Sequence, residues 1–252
     1  MEIKKIGVIG FGRFGRMAYS HLQKTKELLV FDQDPGKLQG VPQAAGFADV
    51  VEAPLVLLNV PISEIAAVCQ KMAPLLRQGQ IVVDTCSVKE KPIADMLSHL
   101  PELTQILGTH PLFGPDSGQQ GIAGLKIALC PVRIEPAAYS SICDCLKSFG
   151  LVLVETSPQK HDQQIARSQA IFHLIAQTIK ELQWRGQEVS TPGPEEFYCL
   201  LETVQHDTDQ LFLDMERDNL YAADCREKFI RTMTEIHEGL AASSRKPSEP
   251  ES

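Results

Sequence analysis

The sequence predicts an α/β protein: a mostly parallel sheet covered by helices, followed by an all-helical part. Three observations predict it. Short apolar runs at 6–9, 28–31, 55–60, 81–84, 105–108, 127–130 and 151–155 alternate with helix-period segments at 17–23, 63–76 and 136–148 that Pro or Gly bounds. A glycine-rich turn joins the first apolar run to the first periodic segment. Beyond Ser157-Pro158 the alternation stops, and 161–183, 194–215 and 221–240 carry helical periodicity with no strand pattern from Gln159 onward. The expected division is a first domain over 1–156, a helical domain over 157–242, and a polar tail over 243–252 whose composition predicts disorder.

Composition narrows the function classes. With 43% hydrophobic and 22% charged residues, the 252-residue chain can bury an ordinary core. A formal charge of -8 and the lack of a basic stripe argue against nucleic acid. No run approaches the ~18 apolar residues of a membrane span, and the N-terminus enters a strand pattern with no signal-peptide core. The expectation is a soluble, cytoplasmic protein. Seven cysteines, scattered and without a CxxC pair, predict reduced thiols and no metal site. A helical domain of roughly 85 residues is marginal alone, so its apolar faces are expected against the first domain or a second copy, in a homodimer.

The turn carries the first functional signal. Gly10, Gly12 and Gly15 form GxGxxG between an apolar strand and an amphipathic helix, with Phe11, Arg13 and Phe14 between them. Gly10 permits a tight turn, Gly12 lets backbone approach a pyrophosphate, and Gly15 lets the helix pack closely on the sheet. Asp32 ends the second apolar run, where a carboxylate accepts hydrogen bonds from ribose hydroxyls. Strand, turn, helix and acid in register predict a Rossmann dinucleotide-binding domain that favours NAD over NADP, although Arg13 and Arg16 would offset some repulsion of a 2′-phosphate. Val60 and Pro61, at the end of the third run, complete the expected cofactor-binding set. The competing reading is a purely structural turn with Asp32 as a strand-end cap.

A second signal lies further along the same sheet edge. Asp84-Thr85-Cys86-Ser87-Val88-Lys89 follows one strand, and Thr109-His110-Pro111-Leu112-Phe113-Gly114-Pro115-Asp116-Ser117-Gly118 ends the next. Ligands bind at the carboxyl edge of open parallel sheets, so Ser87 and His110 can converge there, the imidazole to take a proton and the serine to orient it and a substrate oxygen. Lys89 reads equally as a helix-side lysine or a site residue.

DTCSVK, THPLFGPDSG and the later HDQQIARSQAIFH resemble signature segments of the prephenate/arogenate dehydrogenase family, a likeness that spans residues 4–175 and then thins. The resemblance implies oxidative decarboxylation of a small cyclohexadienol: hydride leaves a ring carbon for NAD, the hydroxyl loses a proton, and the ring carboxylate departs as carbon dioxide. It implies His110 as the catalytic histidine, Ser87 as its hydrogen-bonding serine, and Gln169 and His173 as polar contacts to the substrate side chain or the nicotinamide. Gln169 and His173, four residues apart, share a helix face, while His161 falls within about two-thirds of a turn of His173 and stays open between a site residue and an interface polar group. In the family an arginine of the helical domain pairs with the ring carboxylate; here no arginine aligns, Arg217 is the nearest candidate, and Arg167 lies on the expected 161–183 helix. Uncharged Gln205 falls where the family distinguishes arogenate from prephenate, and it leans the expectation towards prephenate and tyrosine biosynthesis.

Three alternatives remain at this point. One is arogenate dehydrogenase. Another is a different two-domain Rossmann dehydrogenase of the β-hydroxyacid or imine-reducing kind, which would need a helical-domain lysine; Lys160 and Lys180 are present without a glycine-rich setting. The last is a non-catalytic dinucleotide-sensing module, which would have no use for Ser87 beside His110.

Overall fold

The computed structural model describes residues 3–118, 120–202, 204 and 207–243. The chain runs β1 (Lys5–Ile9), α1 (Arg13–Leu22), β2 (Glu27–Phe31), α2 (Phe47–Val51), β3 (Leu55–Leu58), α3 (Ile65–Met72), β4 (Ile81–Asp84), α4 (Glu90–His99) and β5 (Gln105–Pro111). It continues through α5 (Pro115–Gly118), β6 (Lys126–Arg133), α6 (Pro136–Ser148) and β7 (Val152–Glu155). Five helices follow: α7 (Pro158–Arg167), α8 (Gln169–Glu181), α9 (Pro192–Glu202), α10 (Asp209–Asp218) and α11 (Ala222–Ser243).

The seven strands form one sheet in the order β2-β1-β3-β4-β5-β6-β7, parallel throughout except for the antiparallel β5/β6 pair. Strand β4 reads Ile-Val-Val-Asp because both of its faces are covered. Val82 joins a core with Ile65, Met72, Ile93 and Met96 on one face, while Ile81 and Val83 join Val8, Val30 and Ile142 on the other. The strand after β2 that would extend the edge is reduced to a single parallel bridge, Val30 to Ala44. Because β1 is followed on one side by β2 and on the other by β3, the order reverses at the carboxyl ends of β1 and β3, where open sheets form a ligand crevice.

The helical half departs from the sequence reading in its breaks. The periodic stretch at 161–183 is two helices, because Ser168 leaves helical backbone at φ -122° and ψ -82° and its hydroxyl bonds back to the Gln164 carbonyl at 2.8 Å. His161 and His173 therefore lie on different helices, so the single helical period used to relate them does not hold, while Gln169 and His173 stay together on α8. The stretch at 194–215 divides as well, since Thr208 caps α10 by accepting the Leu211 amide at 3.2 Å. Ser243, expected in the tail, closes α11, while 244–252 lie outside the described residues. Among the described residues no helix is long and apolar enough to cross a membrane, and no cluster of metal-ligating side chains occurs.

Candidate active site

The glycine turn is close-packed at Gly10 and Gly15 and open at Gly12. Gly10 has φ +97°, and a Cβ there would lie 2.3 Å from the Asn59 carbonyl oxygen. A Cβ on Gly15 would meet the Gly10 carbonyl oxygen at 2.3 Å, so the start of α1 presses onto the turn at a distance only glycine allows. Gly12 has no atom within 4 Å of its missing Cβ, and no side chain caps the α1 N-terminus it precedes. This cradle, at the switch point and with free helix N–H groups, fits the pyrophosphate of a dinucleotide.

Asp32 does more than its sequence position indicated. One carboxylate oxygen accepts the Phe11 amide at 2.7 Å, and the other accepts the Asp34 amide at 2.9 Å and lies 3.3 Å from Lys37 Nζ. Burial pushes its pKa up, but the two amides and Lys37 outweigh burial and hold it below the usual carboxylate value. Asp32 thus braces the turn while staying ionised. Lys37, which the sequence reading passed over, offsets part of the charge that was expected to exclude a 2′-phosphate.

Two residues of the expected cofactor set point elsewhere. The Phe14 side chain lines an apolar cavity under α1 with Met17, Val83, Pro111 and Phe113. The Phe11 ring is buried edge-on against Tyr19, 5.4 Å between centroids. At both positions only backbone is left to face a nucleotide. Arg13 is held by Asp116 at 2.6 Å and by Asp207 at 3.9 Å, so it bridges α1, α5 and the helical half. Val60 and Pro61 follow β3, with Val60 Cγ1 3.1 Å from the Gly10 Cβ position and Pro61 exposed.

Further along the edge, a buried polar frame sets the loops after β4 and β5. Asp84 accepts the Cys86 amide at 3.0 Å and the Thr109 amide at 3.3 Å, and pairs with Lys89, whose ammonium also donates to the Thr109 carbonyl at 2.5 Å. Lys89 is 0% exposed. Lys89 is therefore not a solvated lysine: it ties adjacent strand ends together and places its charge beside His110. The frame places Ser87 three residues beyond Asp84 and His110 directly after Thr109. Ser87 Oγ is buried without a hydrogen-bond partner among the described residues, a donor available to a bound group.

His110 is buried, and its Nδ1 lies 2.9 Å from Nε2 of His161. His161 Nδ1 in turn lies 2.7 Å from Asp162 Oδ1. Burial lowers the His110 pKa well below the usual histidine value, with His161 and Lys89 adding to the effect, so the ring is neutral near pH 7 and able to accept a proton. Asp162 also accepts the amides of Lys89 and Glu90, both at 2.8 Å, capping α4 from α7. The sequence reading left His161 open and missed Asp162 altogether; the HD dipeptide was the signal, but its target lies 51 residues away in the chain.

The remaining expected residues divide. His173, on α8, is buried and its pKa is pushed down to about 4 by desolvation; its Nε2 is 3.9 Å from Asp207. Gln169 is half-buried on the first turn of the same helix. Gln205 lies outside the described residues. Arg217 and Arg167 are exposed at the ends of α10 and α7, and neither forms an ion pair with a site residue among the described residues, because each projects from the solvent side of a last turn whose other side, Met215 and Glu216 in α10 and Ile165 and Ala166 in α7, is buried.

Comparison with known proteins agrees with this geometry. Residues 32–154 match the model of the family described as prephenate dehydrogenase, nucleotide-binding domain. The chain is 29% identical over 239 residues to arogenate dehydrogenase 1, chloroplastic, of Arabidopsis thaliana, covering 89% of this chain and 37% of that protein. It is 29% identical over 249 residues to arogenate dehydrogenase 2, chloroplastic, of the same organism, covering 94% of this chain and 70% of the other. The crystal structure of prephenate dehydrogenase from A. aeolicus in complex with hydroxyphenyl propionate and NAD+ superposes with a TM-score of 0.75 at 16% identity, over 97% of this chain and 93% of that one, a likeness of fold.

Proposed function

Because the chain belongs to the prephenate/arogenate dehydrogenase family, we propose that it oxidatively decarboxylates a cyclohexadienol of the prephenate class with NAD. The observation that carries this reading is His110, a neutral buried imidazole at the ligand edge whose Nδ1 is engaged while its Nε2 has no hydrogen bond among the described residues. In this reading the backbone of Gly10 to Gly15, Asp32, Val60 and Pro61 hold the dinucleotide. Bound NAD supplies the acceptor for the ring hydride.

The chain's own groups handle the proton. His110 Nε2 takes it from the ring hydroxyl as the C–O bond becomes a carbonyl, and Ser87 Oγ donates to the same oxygen. The C–CO2 bond then breaks, its electron pair entering the ring, and carbon dioxide leaves. The phenolic oxygen recovers its proton from His110, so no net proton is consumed. Gln169 and His173 contact the substrate side chain from α8. We place the nucleotide-binding domain at 1–156 and the helical domain at 157–242, with a homodimer formed through the helical part.

Two substrates fit this chemistry. Gln205 supports prephenate, with its keto side chain. Asp207 favours the second reading, arogenate: its carboxylate stands 3.9 Å from His173 Nε2, where it can pair with an amino group, and the Arabidopsis thaliana relatives carry that name. NADH formation measured in parallel with prephenate and arogenate, for the wild type and Asp207→Asn, tests both. Arogenate turnover that falls about tenfold in the variant, with prephenate spared, supports the second reading; prephenate preference in both proteins supports the first. No NADH from either substrate overturns the proposal.

A further inference from the structure

We propose that His161 and Asp162 are positioning residues that set the tautomer of His110 and share the charge it acquires. This rests on the reading of His110 as the base. The argument begins at the far end of the chain of contacts. Asp162 accepts two backbone amides, from Lys89 and Glu90 at 2.8 Å each, and its own carbonyl accepts Asn219 Nδ2 at 3.0 Å. Its carboxylate is thereby held as an acceptor, and the 2.7 Å contact to His161 Nδ1 requires that nitrogen to carry a proton. A neutral His161 then presents a bare Nε2. The 2.9 Å contact to His110 is a hydrogen bond only if His110 donates from Nδ1. That leaves the lone pair of His110 on Nε2, the one ring nitrogen free to receive a proton.

All three side chains are buried, so water does not compete for these contacts. When Nε2 takes the substrate proton, the imidazolium shifts its Nδ1 proton towards His161, and His161 shifts its own Nδ1 proton towards Asp162. Return of the proton to the phenolic oxygen reverses both shifts. The charged and titratable groups that face His110 are His161 and Asp162 from α7 and, from the segment after β4, Lys89 with its partner Asp84. Lys89 and Asp84 are bound to one another, so the carboxylate reached through His161 is the counter-charge available to the ring.

A merely structural role, docking α7 on the sheet, predicts neither the tautomer nor a change in the pH profile. The test compares wild type, His161→Gln and His161→Leu by side-chain 15N NMR of the full-length protein and by the pH dependence of kcat/KM. The Gln carbonyl still accepts from His110 Nδ1 but cuts the link to Asp162; Leu removes both. We expect Nδ1-protonated His110 in wild type and His161→Gln, and its loss in His161→Leu. kcat falls about tenfold in His161→Gln and about a hundredfold in His161→Leu, with the NAD Kd within twofold, and the acid limb of kcat/KM shifts from its wild-type position in both variants. His110 protonated on Nε2 in wild type, or kcat within twofold in both variants, overturns the proposal. A wild type inactive towards both substrates removes the functional reading and leaves the tautomer to be decided by the 15N spectrum alone.

Discussion

The two halves of the molecule bury their apolar residues to different degrees. In the nucleotide-binding half Val8, Val30, Val56 and Val82 are all 0% exposed, and the sheet between its helix layers closes its own core. In the helical half Ile230, Met233, Ile236 and Leu240 stand 54–64% exposed along one side of α11, and Trp184 and Leu200 are exposed as well. The ties between the halves are largely polar: Asp162 on the start of α4, and Asp214 on Ser63 at 3.4 Å. The difference teaches that the first half closes its own core, while the second is tied to it largely by polar contacts and leaves an apolar stripe of α11 exposed.

Substitutions can separate what each half contributes. The largest effect is expected from His110→Ala, which removes the base and leaves the glycine turn intact: kcat falls by about 10² to 10⁴, while NAD affinity by fluorescence titration is unchanged. Near-normal kcat would take His110 out of the mechanism.

Within the turn, two glycines should behave oppositely. Gly10→Ala places a Cβ 2.3 Å from a backbone oxygen at φ +97°, and a loss of about 2–4 kcal/mol is expected in urea unfolding. Gly12→Ala meets open space, so its unfolding midpoint is expected to stay within error while the KM for NAD rises. Equal stability losses in both would mean that the space beside Gly12 is not open, and an unchanged KM for NAD in Gly12→Ala would mean that the cofactor does not sit there.

The helical half is expected to be the acid-sensitive one through His173. Burial depresses its pKa from 6.5 to about 4, so the unfolded chain binds the proton more readily. Its contribution is therefore intact above 6.5 and lost as pH falls towards 4, by about 3 kcal/mol at the limit. His173→Gln should flatten this slope in thermal unfolding followed against pH; an unchanged slope assigns it to other groups such as His110. The smallest effect is expected on the α11 stripe. Ile236→Glu should shift the sedimentation coefficient towards the monomer with unchanged far-UV circular dichroism, and a wild type already monomeric at micromolar concentration sinks the homodimer.

The legible parts of the site are those where the signal is local. Gly10, Gly12, Gly15 and Asp32 could be read because strand, turn and helix follow one another within a few residues, with Gly10 and Gly15 answering nearby backbone constraints and Gly12 leaving the space between them open. Ser87 and His110 could be read because strand ends in a parallel sheet share one edge. The ring directions of Phe11 and Phe14 could not be read from so short a turn: they point towards Tyr19 and the cavity under α1, which leaves only backbone at these positions to face a nucleotide. The break at Ser168 was masked because apolar periodicity carries across it unbroken, so the angular relation of His161 to His173 could not be read from one helical period.

By itself the amino-acid sequence determined the order of strands and helices, the dinucleotide turn and the two strand-end residues, because these depend on hydrophobic period, backbone freedom and the shared edge of a parallel sheet. Only the tertiary structure decided that Lys89 is an internal tie, that Asp162 reaches across to cap α4, that Lys37 sits on Asp32, and that His161 meets His110. Those contacts join residues far apart in the chain, and their chemistry depends on burial: a lysine or histidine has the same letter in water as in the core, but excluding the solvent decides which charges pair and which nitrogen carries the proton.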